Sequence, residues 1–236
     1  MSVLILCYHK VGPVSEEGRR LNVSPERLQE QVQFWTRRRQ WVLPQHLLGQ
    51  WPASGVCFTF DDAYTSALRN ACPVLERQAV RGAFYAVTEK VGKSSDWDQE
   101  LARPLATWNQ LRQAMQAGHE IGNHTANHSR LAELESPVSE IDSAQEELIR
   151  QGLNPTSFCF PYGSLHPDAL ERVGQLQMIG LSLTKGLAIQ SHDKRALPRI
   201  VVGFGDTLPL LLYKAFVRPW LPGANQRGII LPRSGS

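Results

Sequence analysis

No stretch of this 236-residue chain reaches the roughly 18 consecutive apolar residues that a membrane-spanning helix requires. The nearest run, Leu208 to Leu212, is interrupted by Pro209 and followed by Lys214 and Arg218, so no transmembrane segment is expected. Charge of one sign is equally scarce. The 25 Lys and Arg stand against 22 Asp and Glu, a formal net charge of +3. That excess is too small and too dispersed for a nucleic-acid footprint, and no nucleic-acid partner is expected. The one basic run, Arg37-Arg38-Arg39, ends a helical pattern, where cations suit the dipole. Cysteine is sparse too: Cys7, Cys57, Cys72 and Cys159 stand singly, without a C-x-x-C pair, and three lie inside apolar runs. They read as buried thiols of a reducing compartment. A secretory leader places positive charge before a long apolar stretch, whereas Val3 to Cys7 is short and passes at once into Tyr8-His9-Lys10. These absences predict a cytoplasmic protein without internal repeats, low-complexity segments or an interdomain linker.

What the chain does contain is an ordinary globular composition, 42% hydrophobic with 18 Gly and 15 Pro. At this length one core suffices, so residues 1–236 are expected to form a single domain, with about 207–236 as a C-terminal tail packing on it. Short apolar runs predict strands at Val3 to Cys7, Val56 to Phe60, Ala83 to Val87, Glu120 to Gly122, Phe158 to Phe160, Ile179 to Leu183 and Ile200 to Val202. Helical patterns lie between most of them. Ser24-Pro25 opens one carrying Leu28, Val32 and Trp35; Thr107-x-x-Gln110 is a capping box with Gly118 as the stop; Ser136-Pro137 opens a third that Gly152 ends. Strands alternating with helices predict an α/β fold with parallel crossovers, an open sheet or a barrel. His9, Asp61-Asp62, His124 and Pro161-Tyr162-Gly163 each follow a predicted strand directly, and strand C-terminal ends gather on one rim, where active sites form.

Asp61 and Asp62 are adjacent carboxylates whose side chains diverge at a strand exit, so one can bind a metal while the other handles a proton. The competing reading is a pair that caps the next helix, near Thr65. His124 and His128 stand at i and i+4, on one face if the segment is helical. Two nitrogens with a strand-end carboxylate make a set that suits zinc and leaves a position open for water. Trp97 lies in a loop where it can stack on a sugar face or pack on its own domain. The segment Leu208 to Leu221, with Tyr213, Phe216 and Trp220 beside Lys214 and Arg218, either makes a peripheral membrane contact or covers the barrel. His46, His119 and His166 have no partner pattern.

These motifs together resemble the polysaccharide deacetylase, or NodB-homology, family of metal-dependent carbohydrate esterases. Thr59-Phe60-Asp61-Asp62 resembles its first motif, Gly118 to His128 its second and Phe160-Pro161-Tyr162-Gly163 its third, within a likeness running from Leu6 to about Val202. The resemblance implies an irregular (β/α) barrel of about seven parallel strands. It implies that Asp61 is the catalytic base and that Asp62, His124 and His128 hold a divalent metal, Zn2+ first, with Co2+, Ni2+ or Mn2+ as alternatives. Pro161, Tyr162 and Gly163 would wall the groove and offer a backbone N–H to the oxyanion. Two features depart from the family pattern. Cys159 stands where an Arg usually braces the base, and Arg199 is the candidate replacement. The late Leu-x-His motif is missing, while an early Tyr8-His9 resembles the permuted branch that includes poly-N-acetylglucosamine deacetylases, in which that His is the general acid. The expected function is removal of N-acetyl groups from an N-acetylated sugar, glycan or glycan precursor. An O-acetyl esterase and a non-catalytic sugar-binding module are the alternatives. A haloacid dehalogenase-type phosphatase fails, because it wants an Asp-x-Asp pair and has no use for the two histidines.

Overall fold

A computed structural model describes residues 1–221. The strands are β1 (Ser2–Tyr8), β2 (Lys10–Val11), β3 (Asn22–Val23), β4 (Gln40–Trp41), β5 (Ser54–Phe60), β6 (Ala83–Ala86), β7 (Glu120–Asn123), β8 (Ser157–Cys159), β9 (Ile179–Leu181), β10 (Ala188–Ile189) and β11 (Ile200–Val201). The helices are α1 (Val14–Glu17), α2 (Pro25–Thr36), α3 (Thr65–Arg77), α4 (Trp108–Gln116), α5 (Val138–Arg150), α6 (Pro167–Gln175) and α7 (Leu208–Phe216). One sheet runs β10-β1-β5-β6-β7-β8-β9, with β4 added to β5 and β11 to β1. Every pairing in it is parallel except β1 with β10. The result is the expected irregular (β/α) barrel. The seven strands read from apolar runs are all present; β4 and β10, two residues each, were not among those expected.

Alternation along the strands separates two packed faces. Leu4, Leu6 and Tyr8 of β1 join Val56, Phe58 and Phe60 of β5 in the large core under the helices, where the Tyr8, Phe60 and Phe84 rings stack at 5.2 and 4.7 Å. Val3, Ile5 and Cys57 point the other way, into an interior shared with Tyr85, Cys159 and Leu181. The same period of two sends Cys7, Thr59 and Asp61 toward that interior. The chain then closes the curl. Gly180 N–H donates to Lys194 O and Leu197 N–H to Gly180 O, both at 2.8 Å, so residues 194–197 flank β9 before the chain reaches β11 beside β1.

Local signals place the helices. Ser24 accepts from the Arg27 N–H to cap α2, and Thr107 and Gln110 form a reciprocal capping box on α4. Gly118 and Gly152 follow α4 and α5 at φ +92° and +77°. Ser136 does not cap α5: the N-cap is Pro137, which has no hydroxyl, and Ser136 instead takes the Ser139 hydroxyl on its carbonyl. The expected C-terminal tail begins as α7, whose Leu211 and Ala215 enter the large core; residues 222–236 of that tail lie outside the described residues.

The closing seam tolerates no side chain at Gly180, where a Cβ would stand 1.8 Å from the Arg195 carbonyl oxygen. Gly180→Ala is expected to destabilise the protein by about 1–3 kcal/mol or to force the seam apart, read as a lower urea midpoint.

Candidate functional site

Register sets the first part of the site. Tyr8 pairs with Phe60 across β1 and β5, and the Asp61 N–H donates to Tyr8 O at 2.9 Å, so His9 and Asp61 leave adjacent strands side by side. On the next strands Asn123 pairs with Ala86, and the His124 N–H donates to Ala86 O at 3.1 Å. His9, Asp61, Asp62, His124, His128, Trp97 and Tyr162 therefore line one cleft on the rim.

The segment from His124 to His128 is a loop rather than a helix, which corrects the helical-face expectation. Thr125 and His128 adopt φ +70° and +61°. Side chains hold that shape: Asn123 Oδ1 accepts the Thr125 N–H, Thr125 Oγ1 accepts the His128 N–H, and Asn123 Nδ2 donates to Ile141 O of α5. The turn still brings both imidazoles to Asp62, with Nε2 of His124 at 3.2 Å and of His128 at 3.1 Å from Asp62 Oδ1. Neither contact has hydrogen-bond geometry, which leaves Asp62 Oδ1 a buried oxygen without such a partner. The three donors lie within 4.8 Å of one another. His124 Nδ1 is 2.7 Å from the Cys159 carbonyl; donating there fixes the tautomer and turns the Nε2 lone pair toward Asp62. One oxygen and two imidazole nitrogens, converging without bonding one another, fit a divalent cation. His128 is wedged between Trp97 (centroids 4.1 Å apart) and Tyr162 (4.5 Å), so one face of Trp97 is occupied by protein.

Asp61 turns inward instead. Arg199, fully buried, meets it with two parallel contacts, Nη1 to Oδ1 and Nη2 to Oδ2, both 2.7 Å. Its remaining donors go to Ser182 O, Thr59 Oγ1 and Cys159 Sγ. Cys159 and Cys7 complete the shell, their Sγ atoms 3.2 and 3.3 Å from Asp61 Oδ2. Burial pushes both thiols up, so they stay protonated and donate. Burial by itself raises the Asp61 carboxyl too, but the adjacent guanidinium outweighs it and holds Asp61 below the usual carboxylate range. Asp62 is likewise ionised: burial opposes the charge, and His128 and His124 more than offset it. His124 is lowered by burial and raised further by Asp62 and Asp61. His9 goes the other way, because burial outweighs the two carboxylates and lowers its pKa. Its ring nitrogen lies within 4.8 Å of an Asp61 oxygen.

Pro161 is buried behind the site and Gly163 abuts Leu183, leaving Tyr162 at the edge, 39% exposed with φ +57°. Sequence reasoning did not single out Arg20, Leu21, Tyr64, Asp98, Leu183 or Val201, which also line the cleft. Asp98 accepts from the Tyr64 and Ser95 hydroxyls, pinning the loop that carries Trp97. That Asp98 sits one residue after Trp97 in Ser94 to Asp98 was the only available signal.

A sequence profile for polysaccharide deacetylases matches residues 49–180. Bacillus subtilis YxkH, assigned by name to those enzymes, is 24% identical over 156 residues, 64% of this chain; the chain spans about half, 52%, of that relative's length. The Streptococcus pyogenes deacetylase PplD, solved with acetate, superposes with a TM-score of 0.76 at 20% identity, over 91% of this chain and 98% of its own. IcaB from Ammonifex degensii gives 0.74 at 22% identity, over 89% and 95%. At these identities the structural likeness is one of fold.

Arg199→Met strands a buried carboxylate and is expected to cost about 3–5 kcal/mol in chemical denaturation. Because the folded pKa of Asp61 lies below its unfolded value of about 3.9, the stability it contributes is present above that pH and lost as pH falls below it. Arg199→Met should flatten that acid dependence.

Proposed function

Matched over more than half its length, residues 49–180, the chain belongs to the polysaccharide deacetylase family, and on that premise we propose that it hydrolyses the N-acetyl group of an N-acetylated sugar. The observation that carries this reading is one cleft holding an ionised carboxylate, an adjacent imidazole and a convergent Asp62–His124–His128 donor set. A cation bound by that set, zinc before cobalt, nickel or manganese, supplies Lewis acidity that acidifies water and polarises the acyl carbonyl.

Asp61 takes a proton from water as the water oxygen bonds to the acyl carbon. Arg199 and the two thiols hold the carboxylate in one orientation, and they also make it a poor resting place for that proton. His9, its neighbour, accepts the proton more readily. Burial lowers the His9 pKa, so the imidazole is mostly neutral at pH 7 and a stronger acid than a free histidine once charged. It delivers the proton to the sugar nitrogen as the C–N bond breaks, because an amine anion is not a viable leaving group. The products are acetate and the free amine. In the turn after β8, Gly163 N–H already donates to Phe160 O and Ser164 N–H to Pro161 O, and Pro161 has none. Tyr162 N–H is thus the donor this turn offers to the oxyanion. The exposed edge of the Tyr162 ring, which carries the Arg130 guanidinium 3.9 Å from its centroid, and the half-buried Trp97 border the space open to the sugar. All four cysteines are free thiols, which supports a reducing, cytoplasmic setting; among the described residues no helix is long and apolar enough to cross a membrane.

Metal-reconstituted protein is expected to release acetate from chitooligosaccharides, poly-N-acetylglucosamine fragments or nucleotide sugars. Asp61→Asn should lower turnover by roughly 10²–10⁴ while metal content is kept. A wild-type protein that binds sugar but releases no acetate from the panel is a binding module instead.

His9→Ala should depress hydrolysis of amides far more than of activated acetyl esters, whose leaving groups need little protonation. Equal losses on both would remove His9 from the acid role.

A further inference from the structure

The cleft that holds the reacting groups measures about 130 Å³, well short of the roughly 300–1,000 Å³ typical of small-molecule pockets. Recognition therefore draws on what adjoins it. Leu21, Leu183 and Val201 line the cleft and also a second pocket of about 290 Å³. Four of that pocket's nine lining residues are cations, Lys185, Arg199, Lys214 and Arg218, and none is acidic. Arg199 is committed to Asp61, and Lys214 to Asp206 at 2.6 Å; exposed Arg218 forms no ion pair among the described residues. The positive charge this pocket offers a ligand therefore rests on Arg218. Lys185 continues the path, because it also lines a groove of about 600 Å³. The walls of that groove are mainly apolar, with Leu187, Ile189 and Pro198 on one side and Phe216, Pro219 and Trp220 on the other. Asp193, its one carboxylate, is held by Arg195. Trp220 is 85% exposed, the highest value among the exposed large hydrophobics.

Catalytic cleft, cationic pocket and apolar groove thus follow one another through shared walls. We propose that the substrate is an amphiphile with the same order of parts: an acetylated sugar in the cleft, joined through a phosphate at the cationic pocket to a hydrocarbon chain lying along α7. The proposal rests on the deacetylase reading and names the substrate class within it. A phosphate anion complements the Arg218 region, and each methylene buried in the groove adds up to about fourfold in affinity. Binding energy from these remote parts can be used to position the amide in a cleft too small to grip a sugar alone. The outward side of α7, with Leu212 and Tyr213 and the following Val217, is exposed and apolar, which suits a chain drawn from a bilayer.

The test uses the full, metal-reconstituted chain and four compounds with one shared amide: an N-acetylhexosamine, its 1-phosphate, its decyl glycoside and its decyl phosphodiester. The phosphodiester is expected to exceed each of the others in kcat/KM by at least roughly tenfold. Arg218→Glu should reduce the advantage given by the phosphate about tenfold, and Trp220→Glu the advantage given by the chain, each with an unchanged melting temperature. Equal kcat/KM across the four, or an undiminished advantage in Arg218→Glu, overturns the proposal and leaves deacetylation standing. Calorimetry with decyl phosphate separates the two readings if nothing is hydrolysed. Arg218-dependent binding without turnover then sinks the deacetylase reading alone, and absence of binding sinks the amphiphile. Tighter decyl phosphate binding by Ile230→Glu would make the chain's own C-terminal segment the groove's occupant, and overturn the proposal as well.

Discussion

The ion pair between Arg199 and Asp61 is buried in the barrel interior, where an unpaired charge would be costly by several kcal/mol. Such a pair is tolerable only if nearly every polar atom finds a partner, and here nearly every one does: Ser182 O, Thr59 Oγ1 and two thiols complete the shell. Those partners come from β1, β5, β8 and the turn after β9, while Arg199 itself lies just before β11. The pair therefore ties together the strands that have to meet for the sheet to curl. It also decides the electrostatics of the rim, because an ionised Asp61 favours positive charge on its neighbours His124 and His9.

A protein can supply that guanidinium from more than one place on the barrel wall. Cys159 occupies the strand position at which the family pattern expects an Arg, and its thiol lies 2.8 Å from Arg199 Nη2. A small side chain at that position leaves space for the guanidinium to arrive from the other side of the interior. Cys159 and the distant arginine thus form one packing solution.

Much of the fold was legible because it rests on local signals. Seven strands declared themselves as apolar runs, and Ser24, Thr107, Gly118 and Gly152 marked helix ends by chemistry that acts within four residues. Asp62, His124 and His128 could be grouped from strand exits, although the turn that joins the histidines could not. Its shape depends on Asn123 and Thr125 bonding back to the chain, at φ values that sequence period does not encode. Cys7 escaped notice for a related reason. Its role comes from the register of β1 on β5, which puts it opposite Thr59 and two residues along the same face from Asp61. The neighbourhood of Arg199 is likewise a property of closure, set where residues 194–197 meet β9.

The backbone at the rim carries its own constraint. Leu21, Asp62, Ala63, Thr125, His128 and Tyr162 all have φ between +49° and +70°, a region that disfavours side chains with a Cβ. Four of these six line the rim cleft. Residues in such conformations persist only where surrounding structure over-determines them, and here the core beneath the rim does so, with Tyr8, Phe60 and Phe84 stacked under the strand ends. Strain held in this way fixes the directions of Asp62, His128 and Tyr162 before any ligand arrives. A rim so committed has little freedom to reshape itself around different ligands. Any adaptation to a ligand's shape then falls to surfaces outside the strained ring, beginning with the walls that the cleft shares with its neighbour at Leu21, Leu183 and Val201.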